Sequence, residues 1–212
     1  MIAADRKDMI VLVADKCMEA AVRGLLSRPQ ALGIRSVSAD IYRHSEKDAG
    51  CRTHGMDFLA IFPAKYANAL LMFDFEGCGD TATPASAQEN DLRRSFGRVW
   101  GQNADALIIE PELDIWVWSP SPHVENILGW KDRKPSLREW LVESGHLREG
   151  YAKPHRPKEA LEAALRKVRQ PPSSSLYEQL ARTVTLPLTH TLFAAIWGFG
   201  IAHARLSVPP GA

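Results

Sequence analysis

Apolar residues recur in two rhythms along this chain, and the switch from one to the other predicts its elements. Met9 to Ala14 is an unbroken apolar run with β-branched members, the pattern of a strand buried on both faces of a parallel sheet. Met18, Ala21, Val22, Leu25 and Leu26 then repeat at helical spacing until Arg28-Pro29 stops the turn, so a strand leads straight into an amphipathic helix. Ile34 to Tyr42 alternates loosely and predicts a second strand. Arg43 to His54 is polar and charged and predicts a loop, followed by a short helix from Met56 to about Phe62 and a third strand from Ala69 to Phe73. Gly77 to Ala87 predicts a loop, Ser86 with Glu89 a capping box, and Leu92, Phe96, Val99 and Trp100 one face of the helix it opens; Ala106 to Ile109 is a fourth strand. Strands and helices in regular alternation predict an α/β three-layer sandwich around a mainly parallel four-stranded sheet.

Beyond residue 119 the punctuation is helical. Ser121-Pro122 supplies a cap and a first-turn proline, Gly129 a stop, Ser136 with Glu139 a capping box, and Gly145 a second stop. Pro157 opens a helix with Leu161, Ala164, Leu165 and Val168 inward, and Ser175 with Glu178 predicts the cap of a last one ending near Thr183. The predicted organisation is an α/β core over 1–119, a helical extension packed on it over 120–184, and an atypical tail over 185–212. From Thr183 to Ala204 there is no Lys, Arg, Asp or Glu, but Thr, Pro and His dilute the run, so a packed terminal segment is expected rather than a membrane span.

With 212 residues, 45% hydrophobic and 24% charged, composition excludes intrinsic disorder and fibrous repeats. The net charge of +1 hides an asymmetry: positions 1–130 carry 13 basic and 18 acidic residues, positions 131–212 carry 13 and 7. An acidic first part suits a metal site and a basic second part an acidic partner such as nucleic acid; solvated helix faces that differ in sign would look the same. Three cysteines at long spacings indicate neither a disulfide framework nor a zinc site, and point to a reducing, cytoplasmic setting. The short apolar run near the start, flanked by charges, fits a strand and not a signal peptide.

Acids fall where a doubly wound sheet does its chemistry, just past the carboxyl ends of its strands. Asp15 follows the first strand, Asp74 and Glu76 the third, and Glu110, Glu112 and Asp114 the fourth. Converging carboxylates need a cation or a proton to coexist, and oxygen donors of this kind suit Mg²⁺ or Mn²⁺. Asp74 and Glu76, two residues apart on an extended backbone, are expected to point the same way, and Gly77 and Gly79 would let a backbone approach phosphate. Asp15 is equally a helix N-cap. Trp116 and Trp118 read as core, and the loop carrying His44, Asp48, Cys51 and His54 offers no ligand geometry for a metal. No GxSxG, HExxH or Walker glycine loop is present, which leaves serine hydrolase, zinc protease and P-loop ATPase chemistry without support.

The strings VLVADK, MEAAVRGLL, LMFDFEGCG, PELDIWVW, RPKEALEAAL and PPSSSLYEQLA resemble the Toprim-related group of bacterial antiphage-defence proteins, closest to an accessory protein of the methylation-associated defence system, over about residues 8–184. The resemblance implies a Toprim-like fold whose active members bind Mg²⁺ through a glutamate after the first strand and an Asp-x-Asp after a later one, and cleave or rejoin phosphodiesters. Asp74 and Glu76 match the Asp-x-Asp pair. Ala14 and Asp15 stand where the glutamate and its glycine would, so the acid/base role passes to Asp15, one place on and shorter. Family members continue after the last helix with a charged segment and an aromatic-proline end; here LPLTHTLFAAIWGF implies a tail that is disordered or read in a shifted frame.

Two functions follow as expectations. One is a Mg²⁺- or Mn²⁺-dependent nuclease of a defence system, with Asp74, Glu76 and Asp15 as metal ligands, Asp15, Glu110 and Glu112 as catalytic groups, and Lys153, Arg156, Lys158, Arg166, Lys167 and Arg169 on the nucleic-acid backbone. The other is a non-catalytic subunit that keeps the fold and binds another defence component, such as a kinase or an ATPase.

Overall fold

The computed structural model describes residues 6–32, 34–119 and 121–183. Four strands form one sheet of order β2-β1-β3-β4: β1 (Lys7–Val13), β2 (Ala39–Arg43), β3 (Tyr66–Asp74) and β4 (Ala104–Ile109). Every pairing is parallel, with Val11 opposite Ile41 on one side and Leu70 on the other, and Leu71 opposite Ala106. The chain is thus an α/β sandwich with the expected parallel sheet. After β1 it moves outward to β2, then crosses back to β3, so β1 and β3 flank the point where strand order reverses.

Period-two burial divides the core. Met9, Val11 and Val13 of β1, Leu70 and Met72 of β3, and Leu107 and Ile109 of β4 pack on one side. There they meet α1 (Lys16–Leu26) and four later helices: α4 (Pro122–Ile127), α5 (Leu137–Glu143), α6 (Pro157–Val168) and α7 (Ser174–Thr183). Ile10, Leu12, Leu71, Phe73 and Ile108 face the other way, against α2 (Lys47–Ala60) and α3 (Ala85–Phe96). The helical extension shares a continuous core with the sheet. The indoles of Trp118 and Trp130 stitch α6 in place, donating to the carbonyls of Pro157 (3.0 Å) and Ala164 (3.3 Å).

Several local expectations are corrected. Arg43 to His54 is no loop: α2 already begins at Lys47 and replaces the short helix expected from Met56. Its inward positions are Gly50, Cys51, Gly55 and Leu59, so glycine stands where a pattern reader looks for leucine. A Cβ on Gly50 would fall 2.1 Å from His44 Nδ1, and one on Gly55 2.8 Å from Leu71 Cδ1; bare backbone lets this helix approach the sheet closely. The Ser86/Glu89 capping box does not form. Pro84 precedes α3, and Glu89 instead accepts the Ile108 N–H (2.9 Å), tying helix to edge strand. At α7 the hydroxyl of Ser173, not Ser175, accepts the Ser175 N–H (3.2 Å). The Ser121 cap and the Ser136/Glu139 box are present, and Gly129 and Gly145 take positive φ. Among the described residues no helix is long and apolar enough to cross a membrane. The tail over 185–212, with its reading-frame question, lies outside the described residues.

Candidate functional site

Parallel strands aim their carboxyl ends at one edge, and there Asp15, Asp48, Asp74, Glu112 and Asp114 come together from four stretches of the chain. Asp15 follows β1 and caps α1: its Oδ1 accepts the N–H groups of Cys17 (2.8 Å) and Met18 (2.9 Å). Asp74 is the last residue of β3, and its Oδ1 accepts the Leu113 N–H at 2.8 Å. Its own N–H donates to Asp48 Oδ1 at 2.9 Å, from the first turn of α2. Asp114 sits in the 3-10 turn Leu113–Trp116 and accepts the Tyr177 hydroxyl of α7 at 2.7 Å. Glu112 and Asp114 are among the few polar side chains that are buried.

Charge is crowded here. Burial first, and then the charges of Asp48, Asp114 and Asp15, raise the pKa of Asp74 well above the carboxylate range, against the pull of the Leu113 N–H. Burial likewise raises Asp114, with the Tyr177 hydroxyl and Lys158 opposing, and raises Asp48, with the Asp74 N–H opposing. Glu112 is pushed to about 7 by burial and by the charges of Asp114 and Glu76. Lys158 is a cation of the cluster, with Nζ 3.8 Å from Glu112 Oε2. Burial works against its charge, but Glu112, Asp114, Glu162 and Asp74 together raise its pKa. Cys17, beside them, is driven to about 11 by burial and the charge of Asp15, so it is a thiol and no nucleophile near neutrality.

The expected acids divide by exposure. β3 ends at Asp74 and the chain turns, so strand alternation does not set the direction of Glu76, whose charge acts on Glu112. Glu76 is exposed and lines a cleft of about 270 Å³ with Glu112, Arg156, Pro157 and Glu159. Glu110 is exposed just past β4. The basic set divides as well. Lys158 and Arg156 stand at the start of α6, Arg156 3.7 Å from Glu159, while Lys153 is half-buried and donates to the Ile115 carbonyl (3.2 Å). Arg166, Lys167 and Arg169 lie toward the far end of that helix, about 12 to 20 Å away at 1.5 Å per residue, so one phosphate cannot meet both groups and a backbone would have to run along the helix. His44, just before α2, and His54, within it, stack at 6.4 Å between ring centroids, while Asp48 turns to the Asp74 backbone. Among the described residues no three His, Cys, Asp or Glu side chains converge as a metal cage.

Asp48 and Tyr177 join the site without having been expected there. Tyr177→Phe should therefore leave buried Asp114 short of its donor. The expected cost is about 2 kcal/mol at neutral pH, shrinking once acid protonates the carboxyl, read as the urea midpoint at each pH; an unchanged neutral midpoint would deny the phenol this role. No family model, no curated protein and no solved structure matches the chain.

Proposed function

We propose that the chain is a divalent-cation-dependent phosphodiesterase acting on nucleic acid within a bacterial antiphage defence assembly. The observation that carries the chemistry is the half-buried Asp74, which feels the charges of Asp48, Asp114 and Asp15 at the reversal point of a parallel sheet. An all-oxygen, net-negative donor set suits Mg²⁺ or Mn²⁺ rather than zinc. Mg²⁺ takes one or two carboxylates and fills its shell with water and substrate phosphate, so Asp74 with Asp48 or Asp114 would hold it. The chemistry that a cation would supply there is polarisation of a phosphoryl oxygen. The remaining work falls to the protein. Glu112, with a pKa near 7, can take a proton from water and return it to a leaving oxygen. Arg156, which lines the cleft with Glu112 and Glu76, and Lys158 orient the phosphate. Asp15 acts through α1, whose amino end it caps.

The defence setting rests on the resemblance of the quoted strings, and the three free cysteines fit a reducing cytoplasm. The test is cleavage of supercoiled and linear DNA with Mg²⁺ or Mn²⁺ by the wild type and by Asp74→Asn. Cleavage by the wild type alone is expected; equal activity, or none in either, ends the nuclease reading.

One observation favours a second reading, a subunit that keeps the fold without the chemistry. Asp15, Asp48, Asp74 and Asp114 each spend an oxygen on a bond that holds the fold. On that reading a pull-down from the native operon yields a stoichiometric partner, such as a kinase or an ATPase, while metal titration shows no binding.

A further inference from the structure

We propose that the loop joining α5 to α6 forms a groove for single-stranded nucleic acid, with Tyr151 as its stacking platform. The loop walls a cleft of about 730 Å³ lined by His146, Arg148, Tyr151, Lys153, His155 and Arg156, together with Gly145 and Glu159. Every titratable side chain on that wall other than Tyr151 and Glu159 is a cation or a histidine. Glu159 is already engaged, its carboxylate 3.7 Å from Arg156. Tyr151 is 59% exposed, a large aromatic residue left open among cations. Its backbone is held on both sides: Arg138 donates to the Tyr151 carbonyl at 2.8 Å, and the Tyr151 N–H donates to the Arg148 carbonyl at 3.1 Å. The ring is presented on a tied turn.

A groove that combines cations with an accessible aromatic face is what an unpaired strand needs, because phosphates meet the cations while an unstacked base lies on the ring. In a duplex both faces of each base are already covered by neighbours, so the ring gains nothing there. The position of the cleft gives it a use. It shares Arg156 and Glu159 with the smaller cleft that holds Glu76 and Glu112, so a strand lying on Tyr151 and passing Arg156 arrives at the acidic crevice. This use rests on the phosphodiesterase reading and adds its substrate class, a single strand; the binding itself requires no metal.

Fluorescence anisotropy of the full chain in EDTA tests it, with labelled oligothymidylate as single strand and the same oligonucleotide annealed to oligoadenylate as duplex. The single strand is expected to bind at least about tenfold more tightly than the duplex, and Tyr151→Ala to lose about tenfold in affinity for it. Tyr151→Phe should bind as the wild type does. Arg148→Ala and Arg156→Ala should each lower the salt slope by about one contact. Wild-type affinity in Tyr151→Ala, or equal affinity for the two probes, overturns the proposal even where DNA is cleaved. Tyr151-dependent binding by a protein that cleaves nothing keeps the groove and removes the catalytic reading alone.

Discussion

Asparagine in place of Asp74 is expected to make the protein more stable at neutral pH and to reduce metal-dependent cleavage by about a hundredfold or more. The two effects share one cause. The Asp74 carboxyl is held well above its ordinary 3.8 by burial and by its acidic neighbours, so the folded chain keeps that proton longer than the unfolded chain does. Stability from this group is therefore greatest below about pH 3.8 and falls as pH rises through the folded pKa. Glu112 acts in the same sense between its ordinary 4.5 and about 7. Asp8, held below the usual range by its bond to Arg35, acts in the opposite sense: its contribution is present above the ordinary value and is lost as acid is added. Asparagine keeps an oxygen for the Leu113 N–H and removes the charge, so at about pH 8 the gain should be about 1–2 kcal/mol, or roughly 2–4 °C in Tm for each kcal/mol. Near pH 4 the variant and wild type should differ less. Urea titrations at the two pH values read the first half, and DNA cleavage the second. A variant less stable at pH 8 would mean that the crowding of acids at the crevice is not a burden on the fold.

How legible this site was in the sequence depended on whether each partner lay near in the chain. The sheet could be read because strands buried on both faces leave unbroken apolar runs, as in Met9 to Val13 and Ala69 to Phe73, where every side chain is buried. Helix α2 could not, because its buried face is built partly of glycine and gives no hydrophobic period. Asp15 could be read in both its roles, since a cap is a contact two and three residues away. Asp48 and Tyr177 could not. Asp48 reaches the Asp74 backbone across 26 positions, and Tyr177 reaches Asp114 across 63, so nothing local marks either. The exposure of Glu76, two residues past half-buried Asp74, was hidden for another reason: it turns on where β3 ends, and strand ends are what periodicity locates least well.

Gly24→Val is expected to cost about 3 kcal/mol or more and to loosen the acidic site from a distance. Helices α1 and α7 cross at Gly24, where an added Cβ would fall 2.5 Å from the Glu178 carbonyl oxygen and 2.7 Å from Ala181 Cβ. The first obstacle is helix backbone, which cannot swing aside as a side chain does, so α7 must shift as a body and unseat Leu176, Leu180 and Ala181. Gly24→Ala makes the decisive comparison. Helix propensity favours alanine by about 1 kcal/mol in an exposed helix interior, so a purely local view expects a gain. The contact distances expect a net loss, since even the alanine methyl lies below the 3.0 Å that real Cβ atoms respect. Thermal unfolding of the two variants reads the sign, and an alanine variant as stable as the wild type would show that α7 does not rest on this position. The same helix carries Tyr177 to Asp114. A residue at the opposite end of α1 from Asp15 thus helps fix how a buried carboxyl in the crevice is solvated, and the helical extension becomes part of the site's construction.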